Sequence, residues 1–112
     1  MEIKLDIHPI SVNKIWKGRR FSSKDYQNYE SEVGWLLSQK DIKKVEGWIE
    51  IEYQFYLKRY KTTDTGNLEK PLTDILVKHK IIDDDRFVKR LVLEKFQSKT
   101  EYVIVKIKPY EK

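Results

Sequence analysis

Five aspartates and one lysine between residues 64 and 85 have the types and spacing that suggest chemistry. Asp64 precedes an apolar-periodic stretch, Lys70 and Asp74 lie within it, and Asp83, Asp84 and Asp85 follow it in a row. Carboxylate oxygens in such a group suit Mg2+, which prefers hard oxygen ligands in octahedral geometry and keeps several waters. A divalent ion held beside a phosphodiester activates water and stabilises the leaving oxygen. A neighbouring lysine neutralises charge that develops on the phosphate. The competing reading is structural, because aspartate favours helix caps and a run of three suits a solvated turn. Residue types alone leave both readings open.

The stretch from about Asn67 to His79 has helical periodicity, with Leu68, Leu72, Ile75 and Leu76 on one side. Pro71 is placed in its first turn, where a missing N–H costs little. Asn67, Lys70 and Asp74 recur at i, i+3 and i+7 and so fall within about 60° of one another, roughly 140° from the apolar stripe. One face enters a core while the other presents an amide, an ammonium and a carboxylate. A helix of this length separates its ends by about 20 Å. Asp64 and the triple aspartate therefore meet only if the flanking chain folds back.

The remaining elements must supply that fold-back. Residues 2 to 8 alternate Ile3, Leu5 and Ile7 with charged neighbours and read as a strand ended by Pro9. Residues 10 to 21 form a basic, aromatic-bearing stretch with room for short extra strands. Ser22 or Ser23 caps a helix carrying Tyr26, Tyr29, Val33, Leu36 and Leu37, which runs to about residue 41. From Val45 to Leu57 the period becomes two: Ile49, Ile51, Tyr53, Phe55 and Leu57 share a face opposite Glu50, Glu52 and Gln54. Two further strands are expected over 86–97 and 101–108. The order β-α-β-α-β-β over 112 residues predicts one α+β domain, 1–112, built on a small mixed sheet.

A net charge of +5 favours an anionic partner, nucleic acid above all. Lys14, Lys17, Arg19 and Arg20 interleave with Trp16 and Phe21, while Lys58, Arg59 and Lys61 immediately precede Asp64. Cations for phosphates and rings for exposed bases are the ordinary chemistry of nucleic-acid contact, though a solvated loop has the same composition. The absence of cysteine excludes disulfides, thiolate catalysis and cysteine zinc sites. No glycine-rich phosphate loop or serine nucleophile motif occurs, and His8 and His79 have no ligand-like spacing. Apolar runs are too short to span a bilayer and the start lacks signal-peptide order, so a cytoplasmic, non-membrane protein without a small-molecule cofactor is expected.

The order Asp64-x-x-Asn67-Leu68-x-Lys70-x-x-x-Asp74, followed by Ile82-x-Asp84-Asp85, resembles the RusA-type Holliday junction resolvases. The pattern Pro9-x-Ser11-x-Asn13, then Gly18-Arg19-Arg20-Phe21 and a Ser-x-x-x-Tyr helix start, resembles the same family, so that the likeness runs from about residue 3 to residue 108. The resemblance implies a homodimeric, magnesium-dependent endonuclease, phage- or prophage-derived, that resolves four-way DNA junctions in recombination and repair, with Mn2+ as a possible substitute ion. It implies Asp64 and Asp85 as metal ligands and Lys70 beside the scissile phosphate, with Asp84 and Asp74 counted among the metal-site aspartates in a role that is either supporting or structural. One position departs from the pattern: Gly66 stands where many members carry a second motif aspartate. Either a neighbouring acid such as Asp74 or Asp84 completes the site, or the chain binds branched DNA with little or no cleavage, or Gly66 is a change particular to this sequence. The first reading is adopted because Asp64, Lys70, Asp84 and Asp85 are all retained. A basic dimer whose acids only cap its elements is the remaining alternative.

Overall fold

The computed structural model describes residues 1–11 and 24–111. The basic stretch carrying Lys14, Lys17, Arg19 and Arg20 lies outside the described residues, as do the expected short strands there. The remaining elements are β1 (Glu2–Leu5), α1 (Lys24–Ser38), β2 (Ile49–Leu57), α2 (Thr65–Lys78), β3 (Val88–Gln97) and β4 (Tyr102–Pro109). Two single 3-10 turns, Tyr60–Thr62 and Asp85–Phe87, stand immediately before α2 and β3. This is the expected α+β order.

The sheet order is β1-β4-β2-β3, with β2 parallel to β3 and antiparallel to β4. Strand β2 is central because its period-two pattern is the longest and most apolar. Ile49, Ile51, Tyr53, Phe55 and Leu57 are all buried on the face that the helices cover. Ile3, Leu5, Val103, Val105 and Ile107 extend that face across β1 and β4. Helix α1 closes it with Tyr29, Val33 and Leu37, and α2 with Leu68, Leu72, Ile75 and Leu76. The connection from β3 to β4 passes around the end of β2, where the Ser98 N–H donates to the Leu57 carbonyl at 3.0 Å.

One buried polar chain crosses this core. The Thr73 hydroxyl donates to Glu69 Oε2 at 2.5 Å, so the Tyr53 hydroxyl, 2.7 Å away, donates to Thr73 Oγ1. On the opposite face, Tyr56 stacks between Phe96 (4.8 Å) and Tyr102 (4.3 Å), and Lys4 lies 4.6 Å over the Tyr102 ring. Such cross-strand ring pairs fix strand register.

Several boundaries differ from expectation. Strand β1 ends at Leu5 rather than residue 8, because the Ile7 N–H turns back onto the Leu5 carbonyl. Val45 contributes only an isolated bridge to Ile82, so β2 begins at Ile49. Helix α2 starts at Thr65, two residues early, because Asp64 caps it. Pro71 is therefore its seventh residue and not in the first turn. Lacking an N–H, it leaves the Asn67 carbonyl without the usual i+4 donor.

Candidate active site

The site is organised along the exposed face of α2. Its first group is Asp64, whose extended backbone and carboxylate form the N-cap: Oδ1 accepts the Gly66 N–H at 2.9 Å. The carboxylate thus satisfies one of the orphan donors of the first turn and complements the helix dipole. Asn67 stays half-buried one residue beyond Gly66, its N–H bonded to the Asp64 carbonyl.

Lys70 is the centre of the arrangement. Its Nζ lies 2.8 Å from Asp85 Oδ2 and 3.1 Å from Asp74 Oδ1. Asp74 is its i+4 neighbour on the helix, whereas Asp85 arrives from the chain beyond the helix end. After Lys78, the chain reverses through Lys80, which adopts φ 61°, and the Ile81 N–H returns to the Leu76 carbonyl. Ile81 and Ile82 are buried, anchoring the reversal, and Asp84 then caps the 3-10 turn Asp85–Phe87. The fold-back thus brings Asp85 against the exposed face of α2, while Asp83 turns to Lys44. There Asp85 meets the tip of the Lys70 side chain, whose backbone stands about 9 Å along the helix from Asp64 at roughly 1.5 Å per residue.

The electrostatics follow from these contacts. The Lys70 ammonium, with help from Asp84, holds the Asp85 carboxyl below the usual carboxylate range. Asp85 and Asp74 in turn raise Lys70 above an ordinary lysine, with the Asp85 hydrogen bond the larger cause. Both members of the pair stay ionised through the neutral range. Asp83 is committed elsewhere: Lys44 Nζ lies 2.6 Å from its Oδ1 and the Gly47 N–H donates to its Oδ2 at 2.9 Å. These contacts, Lys44 first, lower its carboxyl as well.

Donor chemistry provides the test of metal fit. Asp64, Asp74, Asp84 and Asp85 offer carboxylate oxygen alone, the hard donor class that Mg2+ prefers. This ion is commonly held by one or two carboxylates together with substrate phosphates. Among the described residues, no group of three or more acidic, imidazole or thiol side chains is placed to hold a metal ion. These side chains supply the donor chemistry that such a shared site uses. Gly66 lies on the same helix face, one turn before Lys70. A side chain there is tightly placed: its Cβ would fall 3.2 Å from Asp64 Oδ1, so the Asp64 carboxylate would have to give by a few tenths of an ångström.

Basic groups lie beside the N-terminus of α2. Lys58, Arg59 and Lys61 occupy the loop from β2, where Lys58, Arg59, Tyr60, Lys61, Thr62 and Gln97 line a shallow cavity of about 410 Å³. The loop is held from β3. Lys95 Nζ donates to the Thr63 carbonyl at 2.9 Å and lies 5.0 Å over the Tyr60 ring, while Gln97 Nε2 donates to the Lys58 carbonyl at 3.0 Å. Glu101 accepts the Lys58 N–H and pairs with His8. Burial pushes the Glu101 carboxyl up, but His8 and the Lys58 N–H outweigh it and leave the group lowered.

Sequence reasoning missed Lys95, because nothing local to "LEKFQ" places it on the loop before Asp64. It also missed Trp48, whose signal was available. This large ring occupies the register otherwise held by Glu50 and Glu52, on the polar side of β2. No helix among the described residues is long and apolar enough to cross a membrane.

A protein-family comparison covers the span that carries these residues. The family model described as endodeoxyribonuclease RusA matches residues 9–108, nearly the whole chain and all of the site. No curated protein matches the chain significantly.

Proposed function

The chain belongs to the RusA family of endodeoxyribonucleases, enzymes that cut phosphodiester bonds in DNA, and from that premise we propose a magnesium-dependent resolvase of four-way junctions. The observation that carries the proposal is the Lys70–Asp85 pair at 2.8 Å, inside the family-matched span and beside a braced basic loop. Asp64 and Asp85 would hold the ion, with Asp84 and Asp74 adding negative charge around it. When bound, the ion would supply water activation and charge stabilisation at the scissile phosphate.

The chain's own residues do the rest. Lys58, Arg59, Lys61 and Lys95 draw the DNA backbone toward the start of α2. Lys70 exchanges a carboxylate partner for a phosphate oxygen, placing a positive charge where negative charge develops. The ionised state of Asp85 keeps it ready as a ligand at neutral pH. Two protomers acting together would place two such sites on opposed strands of one branch, the arrangement recombination and repair require.

A second reading, junction binding without cleavage, is favoured by Gly66, which removes a carboxylate from the active face. One experiment separates the two. Purified protein is incubated with an end-labelled four-way junction or a linear duplex of equal length, with and without magnesium. The resolvase reading predicts paired nicks in the junction only when magnesium is present. Tight junction binding with no products at any magnesium concentration would establish the binding reading in its place.

A further inference from the structure

Next to the aspartates lies an aromatic feature that the cleavage mechanism does not use. Trp48 is 54% exposed, high for so large a ring, and meets Phe87 edge-on at 5.2 Å between centroids. Phe87 belongs to the same 3-10 turn as Asp85, two residues on. Lys89 Nζ lies 5.1 Å over the Trp48 ring and the Arg86 guanidinium 5.0 Å over the Phe87 ring.

This pair is held in place by the backbone. The loop before β2 is tied to the segment before Asp84 at two levels: the Val45 N–H donates to the Ile81 carbonyl at 2.9 Å and the Gly47 N–H to Asp83. Gly47 adopts φ +74°, a conformation that L side chains rarely take, and this turn presents Trp48 outward. On the facing strand the register slips: Ile49 pairs with Val88 but Glu50 with Arg90, so Lys89 is bulged out and aimed at the Trp48 ring. Bulges beside active sites commonly re-aim a side chain in this way.

We propose that Trp48 and Phe87, flanked by Lys89 and Arg86, form a stacking subsite for an unstacked nucleobase of branched DNA. Flat aromatic surface with cations at its margins is the chemistry that holds single-stranded bases and their phosphates. A base entering this site displaces Lys89, on its exposed flexible chain, from the ring to a neighbouring phosphate. Bases of a continuous duplex remain stacked on each other, whereas those at a branch can be drawn out. The subsite therefore favours branched over linear DNA and sits one short turn from Asp85. The inference rests on the nuclease reading given above.

The test is binding in the absence of divalent ion, with 2-aminopurine at the branch point of a four-way junction and a linear duplex as reference. Trp48→Leu and Phe87→Leu keep apolar bulk without the ring, and Trp48→Phe keeps a ring. Wild type should quench the probe and prefer the junction. Each leucine variant should lose the quench and bind the junction roughly 5- to 150-fold more weakly, the range expected for one lost base stack. Duplex affinity should be unchanged, and Trp48→Phe should keep part of the quench. Unaltered quench and preference in the folded leucine variants would overturn the subsite while leaving the nuclease reading intact. A leucine variant that loses junction binding only by becoming monomeric would also overturn it, assigning the patch to contact between copies. Absence of junction binding by wild type would overturn both readings together.

Discussion

Lys70 and Asp85, fifteen residues apart, meet at 2.8 Å across the chain reversal that follows α2. The contact joins a helix face to a turn that periodicity treats as separate. It also fixes the ionisation of both groups. Because the folded Asp85 carboxyl is depressed, its contribution to stability is present above the unfolded value of about 3.9 and is lost as pH falls through the folded value. Carboxyl NMR of Lys70→Gln should therefore show the Asp85 midpoint moving up toward the ordinary aspartate range. An unmoved midpoint would mean that another group sets it.

The polar chain Tyr53–Thr73–Glu69 makes a separate prediction about stability. Thr73→Val preserves shape but strands the buried Tyr53 hydroxyl, which should cost about 1–3 kcal/mol. Tyr53→Phe removes the stranded group instead, and the double variant should recover part of the loss. Thermal melts of the three proteins check this, and strictly additive losses would argue against a coupled chain.

The basic loop should act on every DNA equally. If Arg59 and Lys61 each meet one phosphate, Arg59→Ala and Lys61→Ala should each flatten the salt dependence of log affinity by about 0.9. Lys95→Ala should weaken binding as well, both by loss of charge and by release of the Thr63 carbonyl that it holds. Equal salt slopes in wild type and variants would remove this loop from the DNA contact surface.

Gly66→Asp asks whether the missing carboxylate belongs to the site. The position is helical, and a Cβ there meets Asp64 Oδ1 at 3.2 Å, so the Asp64 carboxylate must shift by a few tenths of an ångström to admit it. An aspartate there would be the i−4 partner of Lys70 and would compete with Asp74 for its ammonium. The substitution should enlarge the magnesium-induced rise in melting temperature. An identical rise in wild type and variant would show that position 66 lies outside the metal's reach.

Much of the architecture was legible because burial writes a period into the chain. The five alternating residues from Ile49 to Leu57 and the stripe from Leu68 to Leu76 each declare one face, and both are buried as read. Boundaries were less legible, since they depend on single caps. Asp64 stands out by its chemistry, yet its capping bond starts α2 early and moves Pro71 into the second turn. The face carrying Asn67, Lys70 and Asp74 was readable from spacing, and so was the need for a fold-back. Where the fold-back lands was not. That depends on Lys80 taking a positive φ and on Ile81 and Ile82 being buried, outcomes of tertiary packing rather than of local pattern. Lys95 is illegible for the same reason, since it reaches the loop from a strand distant in sequence, whereas Trp48 is legible as a large ring in the polar register of β2.

On the proposed reading, Asp85 serves phosphodiester cleavage rather than folding alone. Cleavage of a four-way junction in magnesium by wild type and by Asp85→Asn tests it most directly, with junction affinity and melting temperature measured alongside. The amide keeps the shape and a hydrogen-bonding oxygen for Lys70 but removes the charge. The account predicts a loss of cutting by at least two orders of magnitude, with junction binding and the fold retained. Equal cutting by both proteins, with contaminating nuclease ruled out, would contradict it.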